Sequence, residues 1–96
     1  MTEQQKPNRL AEDIQPSLSA LVLSLTATAL AYLGNPINPG ADNPAPDYPL
    51  ALYTIDTIQM LKEKTEGNRT TEETELFNDI LTQLRMIYIQ KTRPEL

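Results

Sequence analysis

The chain has no cysteine and no histidine. Without Cys there is no disulfide, no thiolate nucleophile and no Cys-based zinc site, and the redox state of the compartment is immaterial. Without His the commonest general base and the commonest transition-metal ligand are missing. Tryptophan is absent and phenylalanine occurs once, so any core is aliphatic. Positive charge is scarce: Lys and Arg number 8 against 13 Asp and Glu, for a net charge of −5. Phosphate binding needs a cationic surface, so nucleic acid is not expected as the main partner. Acidity brings solubility rather than a function. No Gly-rich phosphate loop is present. The N-terminal region is polar and acidic, no signal peptide fits it, and cytoplasm is the default location.

What is there starts with 96 residues, enough for one domain, with a 40% hydrophobic content that supports a core. One stretch organises the rest. Ser17 to Leu33 reads SLSALVLSLTATALAYL, without charge, Pro or Gly, and nothing ionisable except Tyr32 lies between Asp13 and Asp42. Pro16 precedes it and suits a helix start. Gly34 with Asn35-Pro36 is a strong stop, because Gly takes the left-handed C′ position and Pro cannot continue the helix. A helix over about 17–33 follows.

At about 100° per residue, Leu18, Leu21, Val22, Leu25, Ala29 and Leu33 share one broad side of this helix. That side is expected to meet the protein's own helices. Ala20, Ser24, Ala27 and Ala31 fall together on the other side, at heptad-like spacing. Small residues let two backbones approach closely, so this seam is expected to meet the same helix of a second copy. Two other readings stand beside it. One is an ordinary core helix rich in Ala and Ser. The other is a membrane span or anchor, with an inner-membrane location, since small-residue seams also serve helix pairs in lipid. Against the span, the uncharged helix is at the short end of the roughly 17–25 residues required, and no Lys or Arg stands immediately at its ends.

Residues 1–15 are polar, with Pro7 and with Leu10 and Ile14 as the larger apolar residues after Met1, and read as a disordered tail. Residues 35–49 hold five of the eight prolines, at 36, 39, 44, 46 and 49. They exclude helix and central strand. A spacer that lets the next helix fold back across the first is the expectation. Pro36-Ile37-Asn38-Pro39 fits a bare PxxP pattern, but no basic flank accompanies it.

A second helix is expected over about 49–66, with Pro49 in its first turn, Asp47 or Tyr48 at the cap and Gly67 as C′ residue. Leu50, Ala51, Ile55, Ile58 and Leu61 form one apolar face, and Tyr53 with Met60 forms a second ridge. A third helix is expected over about 71–91. Thr70 with Glu73 fits a capping box, and Glu72, Glu73 and Glu75 suit the positive end of the helix dipole. Leu76, Phe77, Ile80, Leu81, Leu84, Ile87 and Tyr88 make the cleanest amphipathic stripe in the chain. Met86 and Ile89 fall off it. Together with Tyr53 and Met60 they are candidates for a second interface. Residues 93–96, with Pro94, form a closing tail.

Asp56 and Glu63 share a side of the second helix with Gln59. Two carboxylates invite a metal or acid–base reading. They are two turns apart, roughly 10 Å, too far to share one ion within a helix, and read as a solvated acidic stripe. Asn68-Arg69-Thr70 matches a glycosylation acceptor, but Thr70 reads as a helix cap. No cofactor, metal or catalytic residue is expected.

The order LVLSLTATALAYLG, a Pro-containing spacer, TIDTIQMLKEKTEGNRT, then EETELFNDILTQLRMIYI resembles a bacterial family of short proteins known as a domain of unknown function, number eighteen forty-four. The most specific residues are Thr54-Ile55-Asp56, Met60-Leu61, Glu63-Lys64-Thr65, Gly67-Asn68 and Thr70, with Leu84-Arg85-Met86 and Tyr88 in the closing helix. The resemblance implies a small helical bacterial protein and brings no activity and no site residue.

The expectation is therefore an all-α domain over residues 16–92. Helices two and three form an antiparallel hairpin and helix one packs on it. Apolar surface beyond what three helices use predicts a homodimer or higher homo-oligomer, a non-catalytic interaction or structural protein, open to a further protein partner.

Overall fold

The structure, a computed structural model, describes residues 15–35 and 45–94. The expectations for the tail over 1–14, for 36–44 of the spacer and for 95–96 lie outside the described residues. Within them the fold is all-α: α1 spans Leu18–Tyr32, α2 Tyr48–Lys64 and α3 Thr71–Thr92. All three helices pack on one another, α1 most extensively on α2.

Each helix begins where a side chain satisfies an orphan N–H. The Ala20 N–H donates to Ser17 Oγ at 3.0 Å. The Leu50 N–H donates to Asp47 Oδ1 at 3.1 Å, which makes Asp47 the cap of α2 and puts Pro49 in its first turn. At α3 the full capping box forms: the Glu73 N–H donates to Thr70 Oγ1 at 3.1 Å, and the Thr70 N–H donates to Glu73 Oε1 at 2.8 Å.

The C-terminal ends differ. α1 closes in a Schellman motif: the Asn35 N–H donates to the Leu30 carbonyl and the Gly34 N–H to the Ala31 carbonyl, both at 3.0 Å. Gly34 has φ +93°, the conformation that role requires. α2 stops two residues earlier than the expected 66. Its cap is Thr65, so Gly67 stands one position beyond C′. There it turns the chain with φ +84°, inside a turn in which the Asn68 N–H donates to the Thr65 carbonyl at 2.8 Å. The Thr65 hydroxyl donates to the Leu61 carbonyl at 2.8 Å, so a carbonyl of the last turn gains a side-chain donor.

The spacer returns to the place it left. The Asp47 N–H donates to the Tyr32 carbonyl at 2.8 Å. Pro46 lies so close to Gly34 that a Cβ there would stand 2.9 Å from Pro46 Cγ. This clasp sets the end of α1 against the start of α2.

The core consists of Val22, Ala29 and Leu33 from α1 and its cap, Ala51, Ile55 and Ile58 from α2, and Phe77, Ile80, Leu81 and Leu84 from α3. Leu18, Leu25, Leu61, Leu76, Ile87 and Tyr88 pack around it, half-buried. The α3 stripe is the one read from the sequence. Two apolar residues are not where the sequence placed them. Leu21 is 46% exposed and Leu50 is also exposed. Each sits at the margin of its helix's apolar arc, and two neighbouring helices cover only the centre of that arc. In the α2 core, Thr54 is buried; its hydroxyl donates to the Leu50 carbonyl at 2.8 Å, so no polar group is stranded.

Candidate interaction surfaces

α1 turns Val22, Ala29 and Leu33 to the core, which leaves the opposite arc outward. Ser24 and Ala27 are exposed there, with Ala20 and Ala31 half-buried beside them. Leu21 flanks this strip on one side and Leu23, 53% exposed, on the other. The structure thus brings the four residues of the small seam onto one surface and adds two leucines that the seam alone did not include. No charged residue occurs anywhere in α1. Two of its hydroxyls bond within the helix: Thr26 Oγ1 donates to the Val22 carbonyl at 2.7 Å and Thr28 Oγ1 to the Ser24 carbonyl at 3.2 Å.

The residues of the second candidate interface are also outward. Tyr53 is 69% exposed, and Met60, Met86 and Ile89 are exposed. Tyr53 and Met60 lie opposite the core-facing side of α2, and Met86 and Ile89 opposite that of α3. The two pairs therefore point away from the shared core in different directions. Each stands among charges: exposed Asp56, Glu63 and Lys64 on α2, exposed Glu75 and Asp79 on α3.

Asp56 and Glu63 remain exposed on α2. Glu63 Oε2 accepts from Gln59 Nε2 at 3.1 Å, while Gln59 Oε1 accepts from Arg85 Nη2 at 2.8 Å. Glu63 is thus the end of a polar relay that crosses from α2 to α3. Among the described residues, no group of three or more Asp or Glu stands close enough to hold a metal ion.

One polar cluster has no counterpart in the sequence reading. The Arg69 side chain, in the α2–α3 turn, is only 6% exposed. Its guanidinium lies over the Phe77 ring, 5.6 Å from the centroid. Nη2 donates to Glu66 Oε1, and Nη1 reaches Thr74 Oγ1 at 3.4 Å. Nε is buried without a partner. The hydrogen bond from Arg69, and then its charge, hold the exposed Glu66 carboxyl below its ordinary 4.5. The cluster pins the turn to the first two turns of α3 and covers the face of the one phenylalanine. No spacing rule marks an arginine in a turn as buried; the contact comes from tertiary proximity alone.

Among the described residues, no helix is long and apolar enough to cross a membrane. No curated protein and no solved structure gives a match to this chain. Residues 15–90, which take in all of α1 and α2 and all but the end of α3, match the model for Domain of unknown function (DUF1844), and the chain belongs to that family.

Proposed function

We propose that this chain is a non-catalytic interaction protein that assembles with itself, using the outer face of α1. One observation carries the reading: an exposed helix arc with two outward leucines and no charge. A helix that is apolar all round is ordinarily covered all round. α2 and α3 cover one side of α1, which leaves the other for a second chain. Small size adds support, because three helices of this length bury little core alone and association would add to it. The absence of His and Cys and the solvent-facing relay around Glu63 favour binding over chemistry.

Light scattering on a size-exclusion column, over a range of loading concentrations and without detergent, tests this. The expected result is a species heavier than the 10.8 kDa chain, with a mass that rises toward a whole-number multiple as concentration rises. A monomer at every concentration would end the reading. Recovery only in detergent would transfer α1 to the lipid interface instead.

A further inference from the structure

We propose that the outer face of α1 is covered by α1 of a second copy running antiparallel to it, about a two-fold axis that passes between Leu25 and Thr26. The inference rests on the self-assembly reading above and adds occupant, direction and closure at two chains.

Electrostatics selects the occupant. Each copy carries a net charge of −5, so copies repel at any ordinary surface. Among the exposed charges of α2 and α3, Asp56, Glu63, Glu72, Glu75 and Asp79 outnumber Lys64, Arg85 and Lys91. Contact between copies there brings together surfaces with carboxylates in excess. The outer arc of α1 is the helix face, among the described residues, on which an acidic chain meets its own copy without that penalty. A basic partner finds no counter-charge on this face. An anionic lipid surface finds no Lys or Arg there to attract it.

Shape selects the direction. The exposed leucines, Leu21 and Leu23, both lie in the first half of α1, and the outward residues of the second half are Ala27, Thr28 and Ala31. A parallel pair would oppose wide to wide and leave the narrow halves apart. An antiparallel pair opposes wide to narrow along the whole contact. The spacing of Ala20, Ser24, Ala27 and Ala31 is four, three, four, which reads the same in both directions. The axis therefore sets Ala20 beside the partner's Ala31 and Ser24 beside the partner's Ala27. That self-complementarity is what an isologous, closed interface requires. Area sets the strength. α1 is only about four turns long, so one side of it offers less accessible surface than the roughly 800 Å² per partner of a standard interface. The dimer is therefore weak and concentration-dependent.

Because the native chain has no cysteine, single-cysteine variants report the geometry directly. In the antiparallel pair, position 24 and its own image are about 5 Å apart along the axis, as are position 27 and its image, whereas the images of position 20 are about 16 Å apart. A disulfide spans Cα atoms only up to about 6.8 Å. Ser24→Cys and Ala27→Cys are expected to cross-link on mild oxidation at least about tenfold faster than Ala20→Cys alone, while Ala20→Cys mixed with Ala31→Cys gives the heterodisulfide. Equal self-cross-linking at positions 20, 24, 27 and 31 means a parallel pair and overturns the proposal. No cross-link at any of the four, in protein that light scattering still finds assembled, assigns another face and overturns it too, leaving self-assembly intact. No cross-link in protein that is monomeric at every concentration removes self-assembly as well. Flotation of the unmodified protein with vesicles of neutral or anionic phospholipid, without cross-links at positions 24 and 27, replaces the second copy by lipid.

Discussion

The outward faces of α1 and α3 are alike in exposure and unlike in chemistry. α3 shows solvent Glu72, Glu75, Asp79, Thr82 and Gln83, with Met86 and Ile89 set among polar neighbours. α1 shows Leu21, Leu23, Ser24, Ala27 and Thr28, and no charge. Inward, the two helices behave the same way: each buries a narrow apolar arc in one shared core. Burial in this domain is thus decided by which arc the neighbours reach. Hydrophobicity decides only what an uncovered arc then needs. On α3 the uncovered arc is finished as a solvent surface. On α1 it is not, and the proposed second chain would supply the missing cover.

A charge on the outer face of α1 gives that helix what α3 already has. Ala27→Glu places one carboxylate on the outer strip of each copy, next to the proposed two-fold axis, and is expected to weaken self-association about 100-fold, because like charges set against each other in an interface cost several kcal/mol. Thr82→Glu adds the same charge to the exposed outer face of α3 and should leave assembly within about twofold. Sedimentation across a concentration series measures both. Equal effects would show that net charge alone governs assembly and that the α1 face is not special. Thermal unfolding of both variants, at concentrations where they are monomeric, should match the parent closely, since neither site touches the core.

A second contrast asks whether α1 is held firmly enough for its open face to be a surface rather than a loose end. Gly34 combines φ +93° with Pro46 against its Cα. Gly67 has φ +84° and open space around it. Both resist an L side chain, at about 1–2 kcal/mol for the left-handed conformation. Gly34→Ala adds a collision with the proline ring, so it is expected to cost about 2–3 kcal/mol in denaturant unfolding against about 1 for Gly67→Ala. Similar losses at the two sites would mean that the Pro46 clasp yields and the end of α1 is soft.

What could be read from the sequence, and what could not, divides along the same line. Local chemistry was legible. Thr70 with Glu73, Gly34 before Asn35 and the α3 stripe from Leu76 to Tyr88 each involve residues within a few turns, and all appear in the structure as expected. The four small residues of α1 lie on one side of the helix, Ser24 and Ala27 exposed and Ala20 and Ala31 half-buried. The exposure of Leu21 was not legible, because a helix apolar on every side offers no contrast from which to find its inner arc. Leu50 was misplaced for a related reason: it lies at the edge of an apolar face whose width depends on how two neighbours sit. Thr54 reads as polar yet is buried, since its hydroxyl donates within its own helix. Arg69 carries no sequence signal at all.

Arg69 gives the next test, because it does for α3 what the clasp does for α1. Its aliphatic stem and guanidinium cover Phe77 and link Glu66 to Thr74. Arg69→Ala strips that cover and is expected to cost about 2 kcal/mol. Arg69→Met keeps much of the stem and should restore part of the loss. A Met variant as unstable as the Ala variant would assign the effect to charge rather than to packing.

The smallest effect separates the two regions by pH. Arg69 holds the Glu66 carboxyl below its ordinary 4.5. A carboxyl with a depressed folded pKa binds fewer protons folded than unfolded, so its contribution is present above the unfolded value and is lost as pH falls through the folded one. The stability difference between parent and Glu66→Gln should be flat from neutrality down to about pH 5 and shrink below it. The site is solvent-exposed, so the difference is small. Nothing in α1 is a carboxylate, and acid acts on its face only through the whole molecule. The sequence pI is about 4.5, so the repulsion between copies fades as pH falls from 7 toward 5. Self-association should tighten a few-fold over that range at low salt, and much less where salt already screens the charge. Tightening of assembly therefore precedes the weakening of the α2–α3 turn as acid is added. Loss of assembly above pH 5, in protein that remains folded, would require a carboxylate within the interface, and α1 has none to provide.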